Sequence, residues 1–488
     1  MPSLKNKTVS GVAWSSLERF SVQGIQFVMQ IIMARILLPD DYGVIAMLAI
    51  FLAVSQTFID SGFSSALVQK SDRSEVDYAT VFYFNIVIGV FFFLGLFFSA
   101  PLIAQFYKLA ALIPVTQVIA LNLVISAFAV VPRAKLTILL DFKTQVKSSL
   151  SAVVLSGIIG IWMAYSGYGV WTLVIQSLLN NSLNTLLLWI LSKWMPLWTF
   201  SIASFKRLFS YGSKMLFSAL LDTIFVNIYT IVIGKKFAAT ELGYYSRADQ
   251  FAQYPSGNIS SVIGRVAFPA MCEIQNDDAR LIEVYRKFLK ISVFIIFPLM
   301  TGLAALSEPF IRYVLTEKWL PLVIYLQLLC ASYMWYSVHG LNLTILQAKG
   351  RSDLFLRLEI IKKIIALITL IITVPMGITV MCIGSIVSGF ICLYINVYYT
   401  KQLLNMGFLK QMKDILPTFL LAASMGVLVF MLTKIGLSDF LTLVIGTLSG
   451  ILYFIGIAAL FKMQEWRELY SIMIQYVKKI NHLRDQGS

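Results

Sequence analysis

Long apolar runs, each closed by charged residues or by Gly and Pro, recur along the whole chain. A hydrocarbon core about 30 Å thick needs roughly 20 apolar residues per helix. On that measure the pattern predicts fourteen spans, near 10–34, 43–67, 78–100, 112–132, 148–166, 169–191, 209–234, 242–271, 288–306, 320–346, 360–375, 377–400, 414–433 and 440–461. No connection between them exceeds about twenty residues, which leaves no room for a soluble catalytic domain.

The pattern also repeats at an offset near 200 residues. RILLPDDYG at 35–43 corresponds to KKFAATELG at 235–243, each joining one apolar helix to the next through a basic residue, acid and a glycine. APLIAQFY at 100–107 corresponds to SEPFIRYV at 307–314, and LTIL occurs at both 136–139 and 343–346. Each unit holds six spans, an even number, so both have the same orientation; transporters commonly frame their site at such a repeat interface. The expected fold class is therefore an all-α polytopic membrane protein of about 14 transmembrane helices, two parallel six-helix bundles plus two extra C-terminal helices. The expected boundaries are 1–195 and 196–405 for the bundles, 406–462 for the two added helices and 463–488 for an amphipathic tail.

Composition agrees: 58% of residues are hydrophobic and 13% charged, against about a quarter charged in soluble domains. The net charge of +15 invites a nucleic-acid partner, but its distribution points elsewhere. With the amino terminus placed in the cytoplasm, segments on that side carry 29 Lys and Arg, the opposite side carries 7, and 3 lie within spans. That bias is the positive-inside rule, so the charge anchors loops at an anionic lipid surface, and both termini are expected in the cytoplasm. Cys272, Cys330, Cys382 and Cys392 have neither metal-ligand nor redox spacing. The first apolar stretch is too long for a signal-peptide core and is expected to stay as a helix. No phosphate-binding Gly-rich loop is present. No cofactor is expected.

The three cations within spans are Arg19, Arg247 and Arg265. A guanidinium cannot shed its charge at any accessible pH, so in hydrocarbon it must face protein, water or an anion. In span one, Arg19, Gln23, Gln26 and Gln30 stack on one helical face, with Ser15 extending the stripe and Glu18 beside Arg19. Arg19 to Gln30 covers about 16 Å of depth. In span eight, Arg247, Gln250, Tyr254, Asn258, Ser261 and Arg265 are spaced three, four, four, three and four apart, a stripe of about 27 Å. Pro255 and Gly257 lie midway, where a kink is expected. Amide stripes alone can be interhelical glue; a permanent charge is not satisfied that way. Arg247 and Arg265, near span ends, have snorkelling as an alternative, whereas Arg19 lies about 13 Å deep.

Intramembrane acids offer a proton or cation site. Asp222, with Asn227 and Tyr229 nearby, is the candidate for ion coupling, against a structural hydrogen bond. Asp249 reads as a local partner for Arg247, and Asp60 as a helix-end residue before SGFSS. The glycines of GIIG at 157–160 read as close helix packing. His339, among Tyr333, Trp335 and Tyr336, reads as a satisfied contact residue rather than a ligand. The stretch from Lys462 to Arg484 reads as an interfacial amphipathic helix.

Several stretches together resemble a known family: WSSLERF (14–20), QGIQFV (23–28), ARILLPDDYG (34–43), DSGFSSALVQ (60–69), VFYFN (81–85), DFKTQ (141–145), GYGVW (167–171), YYSRADQFAQYP (244–255) and ISSVIGRVAFPAM (259–271). They resemble the Wzx-type polysaccharide flippases of the multidrug/oligosaccharidyl-lipid/polysaccharide (MOP) exporter superfamily, most like the colanic acid exporter branch. The resemblance implies a MOP/MATE-like fold, two bundles about a cavity with cationic residues. It also implies movement of an undecaprenyl-diphosphate-linked oligosaccharide across the bacterial inner membrane by alternating access. On that reading Arg19, Glu18, Gln23, Gln26, Gln30, Arg247, Gln250, Tyr254, Asn258 and Arg265 bind the diphosphate and sugar. Asp222 and Asp249 stand where more neutral residues are expected for the family. The expected partners are the lipid-linked oligosaccharide, membrane lipids and the polysaccharide polymerase and export machinery, with no nucleic acid. Two rival readings stay open: a MATE-like cation-coupled drug or small-molecule antiporter centred on Asp222, and a membrane polysaccharide polymerase, which would be expected to carry a large outer loop.

Overall fold

A computed structural model of the chain describes residues 21–60, 63, 67, 72–139 and 141–471, apart from the side chains of residues 210–212, 214, 215, 218 and 352. The described residues are mostly helical, with no strand among them. Nine stretches of helix among them are long and apolar enough to cross a bilayer, and the protein is an all-α multi-pass membrane protein. The chain packs as two compact units, residues 1–246 and 247–488.

The first unit contains α1 (21–36), α2 (Pro39–Asp60), α3 (Glu75–Tyr107), α4 (Leu112–Ile119), α5 (Leu121–Ile138), α6 (Phe142–Tyr165), α7 (Val170–Ser192) and α8 (Ile202–Lys236). It also holds the first turns of α9 (Ala239–Glu273), the helix that carries the chain into the second unit. Local chemistry sets the helix starts. Ser74 and Asp77 form a reciprocal capping box at α3, Asp141 accepts from the Thr144 N–H at α6, and Ser201 accepts from the Ser204 N–H at α8. Each such cap contributes about 0.5–2 kcal/mol. The helices outrun the apolar spans because polar end turns keep their backbone bonds: α3 runs 33 residues and α8 35. An aromatic core of Phe63, Tyr78, Phe82, Trp194 and their neighbours closes one end of this unit. There Glu75 accepts from the Trp194 indole at 2.9 Å and pairs with Lys135 at 2.8 Å.

The junctions α1–α2 and α8–α9 are the two copies of the repeated motif, and they meet. A Cβ on Gly43 would stand 1.7 Å from the Ala239 carbonyl oxygen, and one on Gly243 would stand 2.0 Å from the Pro39 carbonyl oxygen. The two copies of the motif therefore cross backbone to backbone, reciprocally, which only a missing side chain permits. The Thr240 hydroxyl donates to Asp40 at 3.2 Å beside this crossing. Further along, α2 and α8 are joined by the Thr57–Thr223 hydroxyl pair at 3.0 Å.

The second unit continues with α10 (Asp278–Ala305), α11 (Ser307–Leu315), α12 (Leu322–Tyr333), α13 (Tyr336–Ala348), α14 (Ser352–Thr373), α15 (Ile378–Leu404), α16 (Phe408–Leu432) and α17 (Asp439–Leu460). The fourth and tenth predicted spans are each a bent pair of helices, α4–α5 and α12–α13. Ala120 keeps helical dihedrals (φ −61°, ψ −21°) and Trp335 near-helical ones (φ −85°, ψ −4°), so neither pair folds back as a hairpin. The repeated APLIAQFY and SEPFIRYV segments differ: the first is the end of α3, whereas the second is the separate helix α11. A fully buried amide pair holds α13 to α16. Asn342 donates to Gln411 at 3.1 Å and Gln411 donates back at 3.0 Å, while Thr400 of α15 donates to the same Asn342 oxygen at 2.8 Å. An unpartnered polar group in hydrocarbon costs several kcal/mol, so this pair is stabilised by its mutual bonds.

Candidate functional site

Helix α9 runs unbroken through Pro255 and Gly257, where a kink is expected from the sequence. Its two faces have different work. At 100° per residue, Arg247, Gln250, Tyr254, Asn258, Ser261 and Arg265 fall within a sector of about 80°. Ala252 and Ser256 are fully buried on the opposite face. That buried face is pinned to α12: the Ser256 hydroxyl donates to the Tyr333 carbonyl at 2.6 Å, and the Tyr333 hydroxyl donates to Asp249 at 2.7 Å.

The polar face is a hydrogen-bonded chain. Arg247 Nη1 donates to Gln250 Oε1 at 2.6 Å, and Gln250 Nε2 donates to the Tyr254 hydroxyl at 2.6 Å. Spacings of three and four bring these groups together, because such positions stack along a helix. Arg265 is exposed and its Nε donates to the Ser261 carbonyl at 3.4 Å. Asn258 is half-buried on the same face. The local partner expected for Asp249 is Arg247; the structure gives it Tyr333 instead. The reason is geometric, since residues two apart on a helix do not face each other.

In the first unit, Gln23, Gln26 and Gln30 lie half-buried along α1. Met29 and Met33 of the same helix fit against α6 where Gly157 and Gly160 leave room: a Cβ at either glycine would lie 2.9 Å from Met29 Sδ and 2.9 Å from Gln176 Cγ, respectively. Arg19 and Glu18 lie outside the described residues, as does the tail beyond residue 471. Asp222 is exposed on α8. Asn227 donates to the Thr223 carbonyl at 2.8 Å, and five residues of helix turn it about 140° from Asp222. These two are therefore not brought to one face. His339 Nδ1 lies 3.1 Å from the Asn396 amide nitrogen. Among the described residues no group of three His, Cys, Asp or Glu is placed to hold a metal ion.

Tyr333 is the residue that sequence reasoning passes over. It anchors the stripe helix at two points, yet it is 84 positions from Asp249 and 77 from Ser256. The only signal for it is the aromatic cluster it shares with Tyr336, whose ring centroid is 6.4 Å away.

Taken together, the helices and the cationic, amide-rich face of α9 define a polytopic membrane protein with a polar surface built into one of its longest helices. A model of the polysaccharide biosynthesis protein family matches residues 32–324, and the chain belongs to that family. Among its relatives, the teichuronic acid biosynthesis protein TuaB of Bacillus subtilis is 28% identical over 435 residues, which is 88% of this chain and 90% of that protein. The lipopolysaccharide biosynthesis protein WzxC of Escherichia coli K12 is 26% identical over 443 residues, 87% of this chain and 89% of that protein. The solved structure of the lipid II flippase MurJ in an inward closed conformation matches with a TM-score of 0.77, covering 94% of this chain and 100% of that one. At 16% identity that likeness is one of fold.

Proposed function

We propose that this protein moves undecaprenyl-diphosphate-linked oligosaccharide repeat units across the bacterial cytoplasmic membrane for polysaccharide biosynthesis, acting as a transporter rather than an enzyme. The observation that carries this reading is the Arg247–Gln250–Tyr254 chain on the polar face of α9, in a chain that belongs to a polysaccharide biosynthesis family. Guanidinium groups suit a diphosphate, because two parallel N–H donors meet two phosphate oxygens. Amides and a phenol beside them suit the sugar hydroxyls, which both donate and accept. The polyprenyl tail stays in lipid, so only the polar head needs a protected route.

The mechanism in this proposal is alternating access between bundles 1–195 and 196–405, with 406–462 as two added helices and 463–488 as a tail on the cytoplasmic surface. Arg19 and Arg265 receive the diphosphate on the cytoplasmic half, and rocking passes it toward Arg247 on the outer half. Asp222 is the candidate for ion coupling, with Asn227 secondary. The polysaccharide polymerase is the expected downstream partner. The test is polysaccharide export in a strain that depends on this chain, with Arg19→Ala, Arg247→Ala and Arg265→Ala made singly. Loss of export in Arg19→Ala and in at least one of the other two is the expected result; wild-type export in all three discards the phosphate route.

A further inference from the structure

The first unit contains a second polar site that the α9 stripe does not include. A cavity of about 520 Å³ lies among three helices, lined by Gln56 and Asp60 at the end of α2, Ser126 and Arg133 of α5, and Asn181 and Asn184 of α7. That volume is in the range of small-molecule sites. Each helix contributes residues at spacings of three, four or seven, so each presents one face to the cavity. Asp60 is the last residue of α2, which fits its reading as a helix-end residue, but its carboxylate lines this cavity.

The donors and acceptors are positioned from behind. Asn181 Nδ2 donates to Asn122 Oδ1 at 2.6 Å, which fixes the amide plane, and the Ser148 hydroxyl donates to Asn184 Oδ1 at 2.7 Å. Within the cavity Gln56 hydrogen-bonds the Asp60 carboxylate and Arg133 lies near enough to attract it, while among the described residues no hydrogen bond engages the Asn181 side-chain oxygen or the Asn184 amide nitrogen. The cavity thus presents a carboxylate and a guanidinium that attract each other, an amide donor and an amide acceptor, and hydroxyls.

That composition selects a ligand class. A phosphate is drawn by Arg133 and repelled by Asp60; a metal or ammonium ion meets the reverse. A neutral polyol uses both, since each hydroxyl donates to a carboxylate or amide oxygen and accepts from a guanidinium or amide N–H. The apolar lining consists of Ala129 and Val130, so a sugar would be held here by hydrogen bonds and not by ring stacking. We infer that this cavity is a glycan subsite, which holds sugar hydroxyls of the lipid-linked cargo and discriminates it from the bare carrier lipid. The inference rests on the transport reading given above and adds where the sugar is read.

The test uses the full chain in nanodiscs and two probes: undecaprenyl diphosphate without sugar, and the host's own undecaprenyl-diphosphate-linked repeat unit. A third arm uses the oligosaccharide released from that carrier by mild acid, which separates carrier-bound from free saccharide as the source. Wild type is expected to bind the linked repeat unit about tenfold or more tighter than the bare carrier, the scale of one charged hydrogen bond. Asp60→Asn and Asn184→Ala are each expected to shrink that preference to within about twofold, with binding of the bare carrier kept. Retained carrier binding also shows that the variants fold. The inference is overturned if both variants keep the wild-type preference, if wild type shows none, or if a folded variant loses the bare carrier to the same degree. Translocation by wild-type proteoliposomes is measured alongside: vesicles that fail to move the linked repeat unit sink the transport reading as well, whereas moving vesicles with unaltered discrimination sink the subsite alone.

Discussion

Arg247 tests whether the stripe is a ligand surface or internal glue. Its guanidinium is bonded to Gln250, so Arg247→Ala removes both a charge and the first link of a chain. A hydrogen bond involving a charged group contributes about 1.5–3 kcal/mol. Transport of the linked repeat unit is accordingly expected to fall roughly 10- to 100-fold in Arg247→Ala. Arg247→Lys should fall between, because an ammonium keeps the charge and loses the planar fork. Equal rates for Lys and Ala would say that charge has no part. On the opposite face, Tyr333→Phe removes the hydroxyl that donates to Asp249 at 2.7 Å. An unsatisfied buried acceptor costs about 1–3 kcal/mol, so detergent-solubilised Tyr333→Phe should melt earlier than wild type. Asp249→Asn should melt earlier too, and the double variant should lose less than the sum, because the two residues share one bond. Strict additivity would break the anchoring argument.

Contacts between elements are where the sequence becomes harder to read. The polar face of α9 is legible because helical period alone places Arg247, Gln250 and Tyr254 together. The anchoring face is not, since nothing in α9 says that α12 will meet it at Tyr333. The repeat at offset 200 is legible as similarity, but similarity does not reveal that the copies touch. The Gly43–Gly243 crossing settles that, and it explains the glycine in both motifs through close approach rather than turn geometry. Gly43→Ala is expected to force the helix starts apart, an overpacking cost of about 1–3 kcal/mol or more. Gly243→Ala should cost a similar amount, while Gly95→Ala, which meets nothing within 4 Å, should leave the melting temperature unchanged or raise it. If all three behave alike, the crossing is not tight in the membrane. A second junction is ionic. Asp414 of α16 is nearly buried, takes Arg286 of α10 through both oxygens at 2.6 and 2.7 Å, and has Lys290 at 3.8 Å. Removing the acid leaves Arg286 without its partner, while Lys290 keeps Glu465 at 3.6 Å; Arg286 is 47% exposed, so solvent offsets part of the loss. Asp414→Asn should cost about 1–2 kcal/mol, read as a lower melting temperature whose gap to wild type narrows in high salt.

For the molecule as a whole, the sidedness of charge is a stronger lever than any one residue. On the fourteen-span topology expected from the sequence, lysine and arginine outside the spans number 29 on one side and 7 on the other, and short basic loops resist translocation. On that topology the 72–74, 193–201, 274–277 and 405–407 connections belong to the basic side, and the 108–111, 166–169 and 433–438 connections to the other. Alkaline phosphatase, active only outside the cytoplasm, should therefore be active when fused within 108–111 or 433–438 and inactive when fused after Ser488. Green fluorescent protein at the same sites should give the reverse. An active phosphatase after Ser488 would overturn the orientation, and with it the assignment of Arg265 to the cytoplasmic half and Arg247 to the outer half. Because the two arginines lie 18 residues apart on one unbroken helix, about 27 Å of rise separates them whichever way the helix points. The diphosphate route then survives a reversed orientation only with its direction exchanged, so the fusions decide the order in which the arginines meet the cargo.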